Sequence, residues 1–576
     1  MATAKRTIAA RGGEATRLRL SSWTTSLTRR TPSVAACAVC ACALVVVGWI
    51  GFAPHVLHGG LYRDDWRYWH QYVTASPGIG GALHAFHWTI YRPVQVLWWP
   101  SIEAILGPHA TPQLALTLFL AIIMSACLFL LLATLGMERI HAGVIAALVL
   151  LFPASDATRL WAAANVASLG IILFLLGAVA SLRAFEATGR RRLALHTLGL
   201  TLYAISILTY EVAAGAIACS LVIYRLHRAR WRTATVRWLV DLATIVPILL
   251  LVTAPSDYQH QRAPLSDALA RGSTFVHQSL SIFSGAAVPF ARRSEALGLA
   301  ILATVSLVGL VSVRLRRGTP VARETRRWLL TAAVAVWATA AGYAMFALSK
   351  EFAPLDVGIR TRVNVLASVG FVLLVYSLLM VLVTSALPAG TKRPRIRALA
   401  VSAAAVALGT GYVINLRQDE RRWDLSASLQ DRIVSVVAST VPKPRPGTSI
   451  FTFDHPSFAA PGVPVFNEAD DLDTAMKARW HTNGQQMYPT LPGAVFYCET
   501  HDIWMDTTND ALDDGYGNVD VGRYGRTIFV DIARNTARRI TNARQCRAGL
   551  RAFHPGPVLP GGTRNAQAGS YWWLDY

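Results

Sequence analysis

Apolar runs of about 17 to 25 residues, long enough to cross a hydrocarbon core as a helix, recur from residue 33 to Asn415 and then stop. They predict about eleven transmembrane helices, at residues 33–53, 113–135, 141–153, 162–182, 193–210, 212–224, 238–254, 296–313, 328–348, 364–387 and 398–414. The shorter ones need support from neighbours. Past Asn415 the pattern changes. Gly, Pro, Asn and Asp rise, and strand-like stretches appear at Ser449 to Phe453, Ala494 to Tyr497 and Thr527 to Ile532, after a helical stretch at 416–440. Pro442, Pro444 and Pro446 mark a hinge between that helix and the strands. The expected architecture is an α-helical polytopic membrane protein with a basic tail at 1–32, a transmembrane domain at 33–414 and a small C-terminal α+β domain at 415–576.

The polar loops between spans alternate in charge. Arg183 with Arg190 to Arg192, Arg225 to Arg237, Arg314 to Arg327 and Lys392 to Arg397 are strongly basic, as is the tail holding Lys5, Arg6, Arg11, Arg17, Arg19, Arg29 and Arg30. Such segments stay in the cytoplasm, so a multi-pass plasma (inner) membrane protein is expected, N-terminus inside. The loops at 54–110, 154–161, 255–295 and 349–363, and the C-terminal domain, then face outward. Composition agrees, with 53% hydrophobic residues, 15% charged and a mean hydropathy of +0.38. The net charge of +22, from 55 Lys and Arg against 33 Asp and Glu, would on a soluble protein point to nucleic acid. Here it sits at helix ends rather than in a stripe interleaved with aromatics, so it reports topology and contact with membrane lipids, and nucleic acid is excluded. The first span reads as an uncleaved signal-anchor, because no small-residue cleavage site follows it before Asp64.

Candidate chemistry begins just outside that span, at Tyr62-Arg63-Asp64-Asp65-Trp66. Adjacent carboxylates there meet water, headgroups and any lipid-borne substrate without being stranded in hydrocarbon. Trp66, Trp69, Trp88, Trp98 and Trp99 lay the rest of the loop along the interface. Further ionisable residues fall at the same depth on later spans: Asp156 and Arg159, Glu211, Lys350 and Glu351, and Arg360, Arg362 and Asn364. Carboxylates and arginines lining one outward cavity suit a reaction between a phosphate-bearing lipid and a hydroxyl, since the guanidinium fork matches phosphate. Cys498 and Cys546, the two cysteines of the outward domain, are expected to form a disulfide.

An Asp pair opening the first outer loop, then Tyr91-Arg92-Pro93 before the second span, then alternating short helices, resembles the GT-C superfamily of polytopic glycosyltransferases, nearest its protein O-mannosyltransferase-like members. The resemblance covers about residues 33 to 380. It implies a polyprenyl-phosphate-linked sugar as donor, a glycan, lipid or protein acceptor, an extracytoplasmic active site, and an Asp of the first loop as general base. Asp64 and Asp65 match that pair, with Asp65 favoured, and Glu211 matches an acidic residue that follows Ser-Lys in relatives. The chain departs from relatives in having Thr209-Tyr210 for that Ser-Lys, and in reading Pro153-Ala154-Ser155-Asp156 where they carry His-Pro and Glu.

On this reading Asp65 or Asp64 takes the proton of an acceptor hydroxyl as its oxygen attacks the anomeric carbon, with inversion. Arg63, Tyr91, Arg92, Asp156, Arg159, Lys350, Arg360 and Arg362 would bind substrate and hold the leaving phosphate. Aspartates adjacent on an extended segment point to opposite sides, so one of them faces substrate. A divalent cation bridging carboxylate and phosphate is compatible with this chemistry and not required by it. Two other classes use similar spans. A transporter or flippase predicts inverted repeats and charges at the bilayer midplane, and none is visible. An O-antigen polymerase or ligase predicts a late outer loop with basic catalytic residues, as at His260, Arg262, Arg271, His277, Arg292 and Arg293. The Asp pair favours the transferase.

Overall fold

The structure is a computed structural model that describes residues 33–253, 265–347, 354–387, 394–553, 558–559 and 562–564, less positions 228, 443, 468–470, 481–484, 491–493 and 507–518. Among these, nine helices are long and apolar enough to cross a membrane, and the chain is a multi-pass helical membrane protein. Ala162–Ala184 and Ala367–Ala386 are enclosed by other helices. Val34–His58, Trp231–Val252 and Glu295–Leu315 keep most of their apolar surface facing outward, where hydrocarbon is the fitting cover. Helices Pro320–Ala347 and Ala367–Ala386 approach closely because Gly342 lies where a Cβ would stand 2.6 Å from the Ala367 nitrogen.

Two expected spans are shorter than drawn. The stretch 141–153 is the twelve-residue helix Arg139–Leu150. The stretch 212–224 breaks into Glu211–Ala213, Ala214–Ala218 and Ser220–Leu226, with Cys219 leaving the helical region between the last two. At the other extreme, the expected span 398–414 and helix 416–440 are one helix of 47 residues, Pro394–Thr440, which crosses Asn415 without a break.

That long helix leads into two stacked sheets. Strands β1 (Ser449–Phe453), β4 (Gln486–Pro489) and β8 (Thr527–Asp531) run parallel in the order β4-β1-β8, and β9 (Thr536–Ile540) closes the edge antiparallel. Helix Asp471–Trp480 makes the crossover to β4, as parallel pairing demands. The second sheet is antiparallel, β10 (Val558–Leu559), β11 (Gly562–Arg564), β5 (Val495–Cys498), β6 (Asp502–Asp506) and β7 (Val519–Arg523) in that order. Ile450, Ile528 and Val530 point into a core continuous with the membrane helices, whereas Phe451, Phe453 and Phe529 join Phe496, Ile503 and Met505 in a separate core between the sheets. The layer order is therefore membrane helices, four-stranded sheet, five-stranded sheet. Cys498 is bonded to Cys546 of helix Ala543–Phe553, Cα atoms 5.9 Å apart.

The C-terminal domain sits directly on the loop that carries the Asp pair. Helix Asp471–Trp480 packs on helix Asp64–Thr74. The β2-β3 turn (Phe458–Ala460, Val463–Pro464) docks on the segment before residue 360, where Ile359 donates its amide to the Gly462 carbonyl over 2.8 Å. Gly358, at φ 70, abuts the Gly462 backbone so closely that no side chain fits there.

Candidate functional site

The Asp pair is held at a tight turn. Asp65 returns its amide to the Tyr62 carbonyl over 3.0 Å, and Arg63 sits at φ 47, ψ −114, the geometry of a type II′ turn that normally calls for Gly. Helix Asp64–Thr74 starts immediately after. The two aspartates thus occupy a first helical turn rather than an extended segment, and their side chains diverge by about 100° instead of pointing to opposite sides.

Their environments differ sharply. Asp65 is 2% exposed, and each of its oxygens accepts a backbone amide: Oδ2 from Tyr62 at 2.8 Å, Oδ1 from Ala163 at 2.7 Å. Burial holds its carboxyl well above the usual range, against the pull of those two amides. Asp64 is partly exposed. Asp65 therefore fastens the loop to the Ala162–Ala164 turn, and Asp64 is the member of the pair open to a ligand.

Tyr62 is the hub of this fastening. Its carbonyl also accepts the Trp161 indole over 3.0 Å, and its buried hydroxyl donates to the Trp423 carbonyl of the long helix over 3.0 Å. The Tyr62 and Trp423 rings meet edge-on with centroids 4.8 Å apart. Nearby, Trp66 donates to Gln430, which donates in turn to the Val465 carbonyl. Three of these partners, Trp161, Trp423 and Gln430, carry no local sequence signal, because the positions they join lie 99 to 364 residues apart.

The Tyr91-Arg92-Pro93 motif and Glu211 come together. Arg92 grips both Glu211 oxygens, Nε to Oε2 at 2.8 Å and Nη2 to Oε1 at 2.5 Å, and its guanidinium lies 4.8 Å from the centre of the Tyr210 ring. Gln95, one turn on, donates to the Thr209 carbonyl over 2.8 Å. Pro93 opens helix Pro93–Leu106, whose packing on helix Asp64–Thr74 carries Arg92 towards the Asp pair. Tyr68 feels both: burial, then the Asp64 carboxylate, holds its hydroxyl well above its ordinary value, while Arg92 pulls the other way. Tyr91 is exposed.

The remaining candidates separate into two groups. Arg362 lies with its guanidinium 5.0 Å from the centre of the Trp161 ring, the indole that holds Tyr62, and so borders the Asp turn; Arg360 is partly exposed on the same segment, Ile359–Asn364. Asp156 and Arg159 point into the protein instead. Asp156 is fully buried, accepts the Thr361 hydroxyl over 2.8 Å, and is held well above the usual carboxylate range by burial and by the neighbouring Asp419. Arg159 is 1% exposed and donates to the carbonyls of Ser155, Phe152 and Val149, the last at 2.7 Å. It caps carbonyl groups at and just past the end of helix Arg139–Leu150, which is why an arginine expected beside phosphate turns inward. Asn364 likewise donates to Ala154 and Leu355 carbonyls, both at 2.6 Å. Lys350, Glu351, His260 and Arg262 lie outside the described residues. His277 pairs with Glu295 at 2.7 Å, and Arg293 pairs with Asp356.

Among the described residues no group of three or more His, Cys, Asp or Glu is placed to share a metal ion. With both Asp65 oxygens on amides, the Asp pair by itself does not fit the bridging role of a cation ligand. The arrangement offers one accessible carboxylate, a rigid backing of amides and indoles, and arginines on two sides.

No protein-family model matches the sequence, and no curated protein is similar to it. Among solved structures the chain is similar to ArnT from Cupriavidus metallidurans, solved bound to undecaprenyl phosphate, with a TM-score of 0.40 and 12% identity over 78% of this chain and 85% of that one.

Proposed function

We propose that the chain is an integral membrane glycosyltransferase that moves a sugar from a polyprenyl-phosphate donor to an acceptor hydroxyl at the extracytoplasmic face. Residues 1–32 are its cytoplasmic tail, 33–414 its membrane domain and 415–576 its extracytoplasmic domain, the orientation resting on the charge bias of the loops. Asp64 is the general base. It takes the hydroxyl proton while the oxygen attacks the anomeric carbon, the bond from that carbon to the phosphate oxygen breaks, and the polyprenyl phosphate leaves with its charge facing Arg362, Arg360 and Arg63. The configuration at the anomeric carbon inverts.

Asp65, favoured by the resemblance, becomes the positioning residue, because its two oxygens are committed to the Tyr62 and Ala163 amides. The observation that carries the reading is the Arg92–Glu211 pair: two sequence motifs expected at one site, far apart in the chain, meet in a two-pronged ion pair at the start of the helix that packs on helix Asp64–Thr74. Arg159 and Asp156 are assigned to the frame rather than to substrate.

The test uses the purified full chain in lipid nanodiscs with glucosyl, mannosyl and arabinosyl polyprenyl phosphates and a mixed cell-envelope extract as acceptor. Release of polyprenyl phosphate from at least one donor, dependent on acceptor, is expected. Release from none, or equal release without acceptor, overturns the proposal.

A further inference from the structure

The five-stranded sheet of the C-terminal domain has one face in the inter-sheet core and one face outward. Phe496, Ile503 and Met505 fill the core. Gly522 faces it too, for a Cβ there would stand 2.9 Å from the Phe451 ring. Strand alternation therefore turns Tyr497, Trp504 and Val521 the other way. The ladder registers place them side by side, Tyr497 opposite Trp504 and Trp504 opposite Val521. Trp504 is 45% exposed and Val521 41%, and they are the only large hydrophobic residues so exposed among those residues of the two sheets whose side chains are described. Asp502 and Arg523, opposite each other one step along the same face, rim the row with hydrogen-bonding groups of both charges.

We propose that this row is a glycan-binding platform, on which the rings of Trp504 and Tyr497 stack against pyranose rings of a neutral polysaccharide chain. An aromatic face attracts polarised C–H bonds, such as those lining one side of a sugar ring, and asks little of its partner beyond a flat apolar face. The layer order removes the bilayer as occupant, since the four-stranded sheet stands between this face and the membrane helices. The area removes a stable protein partner: three side chains in a row expose on the order of 200 Å², where such an interface buries about 800 Å² on each side. Asp502 and Arg523 offset each other's charge at one end of the row, which favours a neutral chain over an anionic one there. The bond from Cys498, next to Tyr497, to Cys546 ties β5 to helix Ala543–Phe553. Linked to the proposed transferase, the platform would hold the acceptor, and only that link depends on the reading above.

Binding is measured without any transfer reaction. The full chain in nanodiscs is titrated with fluorescently labelled mannohexaose, glucohexaose and arabinohexaose, wild type beside Trp504→Ala, Trp504→Tyr and Val521→Asp. At least one probe should bind, with affinity lowered about tenfold or more by Trp504→Ala, lowered by Val521→Asp, and kept within about threefold by Trp504→Tyr, whose ring still stacks. Near-ultraviolet circular dichroism and an intact Cys498–Cys546 bond verify that the variants are folded. Binding by none of the probes, or equal binding by folded Trp504→Ala, overturns the platform. Binding instead to vesicles of phosphatidylglycerol and phosphatidylethanolamine that is lost in Trp504→Ala would overturn it in favour of a membrane contact. A protein that binds sugar but shows no transfer retains the platform and loses the transferase, and the converse result does the opposite.

Discussion

The Tyr62 hydroxyl donates to the Trp423 carbonyl over 3.0 Å, joining positions 361 residues apart, and the same Tyr62 gives its amide to Asp65. The long helix and the turn bearing the Asp pair are therefore one mechanical unit. Removing the hydroxyl in Tyr62→Phe leaves the Gly60 amide, which also bonds that oxygen, without its partner and cuts the tie to the Trp423 carbonyl. A loss of about 1 to 3 kcal/mol in stability is expected, read as a lowered thermal midpoint of the detergent-solubilised chain, together with faster hydrogen exchange across residues 60–75.

Arg92 and Glu211 meet in a geometry that lysine does not reproduce. Arg92→Lys should lose the second hydrogen bond and most of the activity, while Glu211→Gln, which leaves the guanidinium unneutralised in a mostly buried place, should destabilise by about 3 kcal/mol. A double-mutant cycle over Arg92→Ala and Glu211→Ala checks this. A coupling near zero would contradict the pair's role.

Asp65 should make stability depend on pH in a definite direction. Burial raises its folded value above the unfolded one, so its contribution is complete below the unfolded value of about 4 and is lost as pH climbs through the folded value. Asp65→Asn, which presents an amide group where both partners are N–H donors, is less stable than wild type by about 1 to 3 kcal/mol at low pH. The gap should narrow as pH rises from 4 to 8, measured as thermal midpoints of the two proteins.

His455 should act with the opposite sign. It is buried beside Thr452, Nε2 to Oγ1 2.9 Å, and burial pushes it down to about 4. Its contribution is present above the unfolded value of about 6.5 and is lost as pH falls from there to 4. The C-terminal domain should therefore loosen across that window, as followed by limited proteolysis, and His455→Asn should flatten the dependence.

The disulfide closes a loop of 48 positions, from β5 to the last long helix of the domain. Cys498→Ser with Cys546→Ser should cost about 2 to 4 kcal/mol, read as the denaturant midpoint of the domain under non-reducing conditions.

The membrane spans were legible because hydropathy over about 20 residues leaves few alternatives. Where it failed, at 212–224, an apolar run concealed the helix break at Cys219, and at Asn415 a change of composition concealed a helix that continues. The motifs Asp64-Asp65, Tyr91-Arg92-Pro93 and Glu211 were readable as local signatures, and the fold joins Arg92 to Glu211. The frame behind them was not readable. Trp161, Trp423 and Thr361 act through one or two hydrogen bonds to distant segments, and such pairings leave no periodicity in either partner. Arg159 shows the reverse error: an arginine at a helix end looks the same in sequence whether it awaits a phosphate or caps carbonyls.

In the proposed transfer Asp64, not its neighbour, removes the acceptor proton. The most direct test of this is the initial rate of sugar transfer in nanodiscs for Asp64→Asn, Asp64→Glu and Asp65→Asn at matched folded protein. Asp64→Asn should lower the rate constant by about 100-fold or more with donor affinity unchanged, and Asp64→Glu should restore part of it, since a positioned general base contributes about 10²- to 10⁴-fold. Asp65→Asn should act mainly through stability. Full transfer by folded Asp64→Asn would show that another group takes the proton.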